Sequence, residues 1–205
     1  MLAVERLGRL DYQAAWNRQV EVLEARIRGE IPDTLILVEH EPVFTLGRKR
    51  TATENVVAPG EVPVVEVERG GDVTFHGPGQ IVAYPIIALT DERRDLHQHL
   101  HNLEEAAIRT CHQFGLVATR DARNTGAWIG GRKVCSVGIA CRKWVTWHGL
   151  ALNVCTDLSF FHRINPCGLE SQLITSMEVE SGASLDQEAV QEALVSNLAA
   201  VLYQS

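Results

Sequence analysis

Among five cysteines, at positions 111, 135, 141, 155 and 167, one differs from the rest in its surroundings. Cys167 sits in Ile164-Asn165-Pro166-Cys167-Gly168-Leu169, flanked by turn formers. The other four fall in helix-like or strand-like apolar runs and read as buried small hydrophobes. Asn165 followed by Pro166 matches an N-cap with proline at the first helical position. A short helix beginning there would put Cys167 in its first turn, where amide dipoles stabilise a thiolate. A loop is the competing structure. Gly168 permits close approach of a substrate to the sulfur. The odd cysteine count and the lack of a C-x-x-C pair fit neither a disulfide framework nor a zinc site. The chemistry these residues suggest is nucleophilic catalysis by one thiol.

Three further segments are richer in Gly, His, Thr and Asn than core packing requires. The first runs Arg69-Gly70-Gly71-Asp72-Val73-Thr74-Phe75-His76-Gly77-Pro78-Gly79-Gln80. Pro78-Gly79 suits the centre of a type II turn. No Gly-Lys-Ser/Thr follows, so it is not a Walker A loop, and no G-x-G-x-x-G opens a helix. A tight hairpin with structural glycines is one reading. The company of Arg69, Asp72, Thr74 and His76 favours a binding wall. The second segment, 130–139, is a turn leading into an apolar strand that Lys133 begins; a lysine there is ordinarily solvated or protects an edge. The third is Trp144–Val154, in which His148-Gly149 interrupts a strand pattern, a sign of a bulge or a close backbone approach. By residue type alone His148 is a satisfied core histidine before it is a proton carrier. Asn153 likewise reads as a group that holds neighbouring backbone.

The elements that must position these residues are few helices among many strands. Tyr12, Trp16, Leu23 and Ile27 recur at helical spacing over 11–28. A second helix spans 95–114, with Leu96, Leu100, Leu103, Ala107, Cys111 and Phe114 on one face and Gly115 after it. A third covers 185–202, opened by a Ser184/Gln187 capping box. Strands are expected at 34–40, 64–68, 81–89, 116–119, 126–129, 132–140 and 144–154, with an irregular stretch after Pro42. The order does not alternate as βαβ units. It predicts one α+β domain over 1–205, with a mixed, largely antiparallel sheet flanked by helices.

Composition narrows the class. Hydrophobic residues make up 45% and charged residues 22% of 205, as in an ordinary globular domain. No apolar run approaches the ~20 residues of a membrane span. The first residues lack the basic-then-apolar pattern of a secretory leader, so the expected location is the cytoplasm. A formal net charge of −7 argues against a nucleic-acid partner. Two basic clusters, Arg48-Lys49-Arg50 and Arg142-Lys143, run against that charge and could dock an acidic protein.

Taken together, RGGDVTFHGPGQ with YPI at 84–86, GRKVCSVG at 131–138, HGLALNV at 148–154 and NPCGL at 165–169 closely resemble the octanoyltransferase family of lipoate synthesis. VEHEPVFTLG at 38–47 is a looser match, and Phe75 stands where tyrosine is common in that family. The resemblance implies a fold similar to the catalytic domains of biotin and lipoate ligases. It implies octanoyl transfer from octanoyl-acyl carrier protein to a lysine of a lipoyl domain, without cofactor or metal. The acceptors would be the lipoyl domains of 2-oxoacid dehydrogenase complexes and the glycine cleavage H protein, and the enzyme would be a monomer. Carried over by residue, Cys167 would be the acyl-thioester nucleophile and Lys133 its proton partner. Arg69, Gly70, Gly71, Asp72, Val73, Thr74, Phe75 and His76 would line the acyl pocket with Ser136, Val137, Gly138, His148, Gly149, Leu150 and Ala151. An ATP-dependent ligase on a similar fold, a non-catalytic acyl-binding protein and a cysteine hydrolase are the rival readings; NPCGL disfavours the ligase.

Overall fold

The computed structural model describes residues 2–165 and 171–203. Cys167, the expected short helix around it and Leu169 lie outside the described residues.

A seven-stranded sheet forms the frame. Its strands are β1 (Ala3–Leu10), β2 (Thr34–His40), β6 (Gln80–Ile86), β7 (Ala118–Thr119), β8 (Gly126–Ile129), β9 (Arg132–Arg142) and β10 (Val145–Asn153). They lie in the order β1-β2-β6-β10-β9-β8-β7. β1 and β2 are parallel and every other pair is antiparallel, so the sheet is mixed but mostly antiparallel, as expected. β1 is an element the sequence did not announce. Its pattern, AVERLGRL, is charged and half-exposed, and the register shifts between Arg6 and Arg9, so no clean alternation survives.

Period-two alternation builds the two faces. Leu35 and Leu37 of β2, Ile81 and Ala83 of β6, and Leu152 of β10 pack under α2 (Leu96–Gln113) and α4 (Gln187–Tyr203). The intervening Ile36, Val38, Val82, Tyr84 and Ala151 pack against α1 (Tyr12–Ile27) on the other side. α1 is capped by Asp11, whose carboxylate accepts from the Ala14 N–H at 2.9 Å. Asp95 caps α2 in the same way, accepting from His97 and Gln98. The start of α4 departs from expectation. Its cap is Asp186, which accepts from the Glu188 and Ala189 N–H groups. Ser184 instead donates to Glu178 at 3.1 Å, in the first turn of the short α3 (Met177–Ser181). The expected capping box fails because a better cap lies two residues later.

A second sheet has three strands: β4 (Val64–Glu66), within the strand expected over 64–68, β3 (Val43–Leu46), in the stretch expected to be irregular, and β5 (Val73–His76), in the Gly-rich segment. Beneath it lies a separate aromatic core of Phe44, Phe75 and Phe161, with Phe160 stacked on Phe75 at 4.5 Å. The turn at Pro78-Gly79 is closed by Gln80 N–H to Gly77 O at 3.2 Å, with Gly79 at φ +78°, as a type II turn requires. It does not join a hairpin. β5 belongs to the small sheet and β6 to the large one, so the turn carries the chain from one to the other.

Candidate active site

Two walls meet over a small cavity. One is the large sheet, through β6, β9 and β10. The other is the Gly-rich segment that precedes β5. Arg69 folds back into its own loop, donating to Thr45 O (2.8 Å), Thr45 Oγ1 (2.9 Å) and Asp72 O (2.8 Å). The loop then docks on β9 through Gly70 N–H to Ile139 O at 2.9 Å. Gly47 makes that fold-back possible: a Cβ there would lie 2.4 Å from Gly71 O and 2.8 Å from the Arg69 guanidinium.

Asp72 holds the same loop from within. Its carboxylate, 1% exposed, accepts from Asn55 Nδ2 at 2.9 and 3.0 Å and from the Val73 N–H at 2.8 Å. Lys49 Nζ lies 3.0 Å away. Burial works to raise this carboxyl, but the hydrogen bonds from Asn55, Val73 and Lys49 outweigh it and keep it below the ordinary range. Lys49 is thereby drawn into the loop, and Arg142 pairs with Glu24, so each basic cluster gives one cation to a local partner.

The cavity encloses about 210 Å³, below the ~300–1,000 Å³ of drug-sized sites. Arg69, Gly70, Gly71, Asp72, Thr74 and His76 line one side; Ser136, Val137, Gly138, His148, Gly149, Leu150 and Ala151 line the other. These were expected. Val73 and Phe75 were also expected there, but strand alternation turns their side chains into the aromatic core of the small sheet. Ile139 and Leu150 supply apolar wall; Leu152, on the same face of β10 as Leu150, does not reach the cavity and packs under α2 and α4.

The polar groups at the wall are kept neutral by burial. Tyr84 Oη and His40 Nε2 are 2.7 Å apart, and His76 Nδ1 is 2.7 Å from Gln80 Oε1. Gln80 continues to Asn153 Oδ1 at 2.8 Å, and Asn153 Nδ2 donates to Thr175 O at 3.0 Å. Asn153 therefore holds neighbouring backbone, as its setting suggested. Burial lowers His76 well below its usual value and lowers His40 to about 4. Burial also lowers His148, which is 1% exposed; its Nε2 lies 3.5 Å from Glu68 Oε2 without forming a hydrogen bond.

Lys133 is the departure from what its position suggested. A lysine at a strand start is ordinarily solvated, yet this one is 3% exposed and lines the cavity. Its backbone O accepts from the Thr175 N–H at 2.9 Å, and its Nζ lies 5.8 Å from the centre of the Trp128 ring and donates to Asn124 Oδ1. Asn124, Thr125, Tyr12, Val82, Tyr84 and Leu100 also line the cavity and were not foreseen. Gly126 was not foreseen either, although a glycine opening an apolar strand is a recognisable sign of close approach. It adopts φ +146°, and a Cβ there would sit 2.1 Å from Cys135 O and 2.7 Å from Lys133 Cε. Gly126→Ala should therefore lower Tm by about 5 °C, the shift expected of ~1–3 kcal/mol of strain, and slow turnover by moving Lys133. Calorimetry and a transfer assay read the two effects; wild-type values in both would contradict the packing described.

All four described cysteines are free thiols. Cys111 and Cys135 are core residues, as expected, but Cys141 is only half-buried and Cys155 is exposed. In every case burial pushes the thiol up, Cys111 to about 12, and at Cys155 Glu178 and Glu39 push the same way. The described residues contain no group of three or more His, Cys, Asp or Glu arranged to hold a metal ion. No described helix is long and apolar enough to cross a membrane.

Comparison with known proteins agrees with this frame. Residues 11–199 match the lipoyl protein ligase A/B catalytic domain. The chain is 45% identical to an octanoyltransferase of Rubrobacter xylanophilus, over 98% of this chain and 94% of that one. It is 42% identical to an octanoyltransferase of Caldanaerobacter subterraneus, over 94% and 86%. In fold it is similar to lipoate-protein ligase A bound with ATP, with a TM-score of 0.73, 16% identity, and 98% and 85% coverage. It is also similar to a biotin protein ligase of Aquifex aeolicus, with a TM-score of 0.59, 12% identity, and 98% and 69% coverage. The chain therefore belongs to the lipoyl protein ligase A/B catalytic domain family and, within it, to the octanoyltransferases, which are acyltransferases.

Proposed function

We propose that this protein moves an octanoyl group from acyl carrier protein to a lysine of a lipoyl domain through a thioester on Cys167. The observation that carries the reading is a buried lysine in the wall of a small cavity. Lys133 is 3% exposed, and a buried, partnered ammonium lining a cavity is a candidate for acid–base work. The chain on either side of Cys167 supports the pairing. Asn165 N–H donates to Asn55 O at 2.8 Å, and beyond the segment Thr175 N–H bonds the carbonyl of Lys133 itself. Cys167 is eight residues from Thr175 in sequence, a tether that reaches at most roughly 28 Å.

A free thiol has a pKa of ~8.5, so only a few per cent is thiolate at neutral pH. An ammonium nearby lowers a pKa by ~1–3 units and makes thiolate the main form. Thiolate Cys167 attacks the carbonyl carbon of the octanoyl thioester, the carbon–sulfur bond to the carrier's pantetheine breaks, and Lys133 gives a proton to the departing sulfur. The lysine amine of the acceptor then attacks the Cys167 thioester. Lys133, now neutral, takes the amine proton, and Cys167 leaves as thiolate. Exchange between thioesters is nearly isoenergetic and thioester to amide is downhill, so the cycle needs no ATP.

This separates the reading from an acid-activating ligase on the same fold. Purified protein with octanoyl-acyl carrier protein and a lipoyl domain should octanoylate the domain at the same rate with and without ATP, read by intact-mass spectrometry. Octanoylation only from free octanoate and ATP would establish the ligase instead.

A further inference from the structure

Asn124, which donates no part of the cycle just described, touches the group at its centre. Its Oδ1 accepts a hydrogen bond from Lys133 Nζ. The loop that presents it is anchored on several sides. Trp128 Nε1 donates to Asn124 O at 3.1 Å, Asn124 N–H donates to Asp121 O at 3.4 Å, and the Gly126 N–H donates to Glu104 Oε1 of α2 at 2.8 Å.

Described acids on the neighbouring elements have cations of their own. Glu104 of α2 pairs with Arg120 at 3.1 Å, Asp121 of the loop with Arg123 at 2.6 Å, and Glu180 of α3 with Arg132 at 2.9 Å. Arg123 lies over the Trp128 ring at 4.6 Å, the ring that Lys133 Nζ also approaches. Asn124 thus offers Lys133 Nζ a neutral amide as acceptor, on a frame whose neighbouring elements carry carboxylates.

We propose that Asn124 is a positioning residue, which aims Lys133 Nζ into the cavity and, being neutral, favours the ammonium over the free amine far less than a carboxylate would, so that both forms stay in use. The proposal rests on the role given to Lys133 above. An amide oxygen accepts from either form of the lysine, since both carry N–H donors. A carboxylate at the same place would hold the ammonium and resist its deprotonation. Loading of Cys167 uses the ammonium, whereas transfer to the acceptor amine uses the free amine, so the charge of residue 124 bears unequally on the two steps.

The test measures the steps separately in single turnovers of the full chain. Loading is the growth of the octanoyl adduct from octanoyl-acyl carrier protein; transfer is its decay when a lipoyl domain is added. For Asn124→Asp, transfer at pH 7 should slow about tenfold or more while loading changes a few-fold, and the pH profile of transfer should move up by ~1 unit or more. Asn124→Ala removes an acceptor that favours the ammonium, so its transfer profile should move down in pH. Loss of packing alone would slow both steps without moving either profile. Profiles that coincide with wild type, or shifts of the same sign in both variants, would overturn the proposal. If the aspartate variant does not fold, the downward shift of the alanine variant decides by its presence or absence. Failure of the underlying reading shows differently, as wild-type protein that forms no adduct to transfer.

Discussion

Serine in place of Cys167 is expected to lower kcat/KM for octanoyl transfer by about 10³-fold or more. A hydroxyl supplies no anion at neutral pH, and an ammonium that lowers a thiol's pKa enough to make thiolate falls far short of ionising an alcohol. The other thiols offer no rescue. Cys111 is pushed to about 12 by burial, and Cys135, Cys141 and Cys155 are raised by burial as well, so none gains thiolate from its surroundings. A steady-state assay with octanoyl-acyl carrier protein and a lipoyl domain checks this. Activity within tenfold of wild type would mean that the nucleophile lies elsewhere.

Removal of the partner amine should be nearly as damaging. Lys133→Ala is expected to cut kcat by about 10²–10⁴-fold, the usual range for a positioned proton donor and acceptor. The sign of its effect on the thiol is fixed. An ammonium favours thiolate, so its loss raises the Cys167 pKa, and half-maximal alkylation by iodoacetamide moves to higher pH by ~1–3 units. Lys133→Met keeps much of the buried volume and should behave alike, which separates lost charge from lost packing. An alkylation profile that does not move would remove Lys133 from the activation of Cys167.

The frame was readable where periodicity is clean. α1, α2, β2 and β8 fall within a residue or two of expectation, because their apolar positions face one core and polar caps mark the helix starts. β1 was not readable, since a register shift and half-exposed charges break its alternation. Of the small sheet only β4 was expected; the prolines and glycines around β3 and β5 hid them, although Val43–Leu46 is wholly buried. At the site, the glycine-rich wall could be recognised as a wall but not resolved into sides. Only the pleat decides that Thr74 and His76 meet the cavity while Val73 and Phe75 meet the aromatic core. Lys133 looked ordinary because nothing local says that a strand-edge lysine will be roofed by Asn124, Trp128 and Thr175, which come from both sides of it in sequence. Asn124 carries no local signal at all. Its role follows from Gly126, whose missing side chain lets the loop close over Lys133 Cε.

The most direct test is where the octanoyl group rests between its two carriers. Wild-type protein incubated with octanoyl-acyl carrier protein alone should gain the mass of one octanoyl group. Peptide mapping should place it on Cys167, hydroxylamine should remove it, and a lipoyl domain should take it up without ATP. An adduct on any other residue, or rapid octanoylation of the lipoyl domain with no adduct formed on the enzyme, would contradict the thioester route.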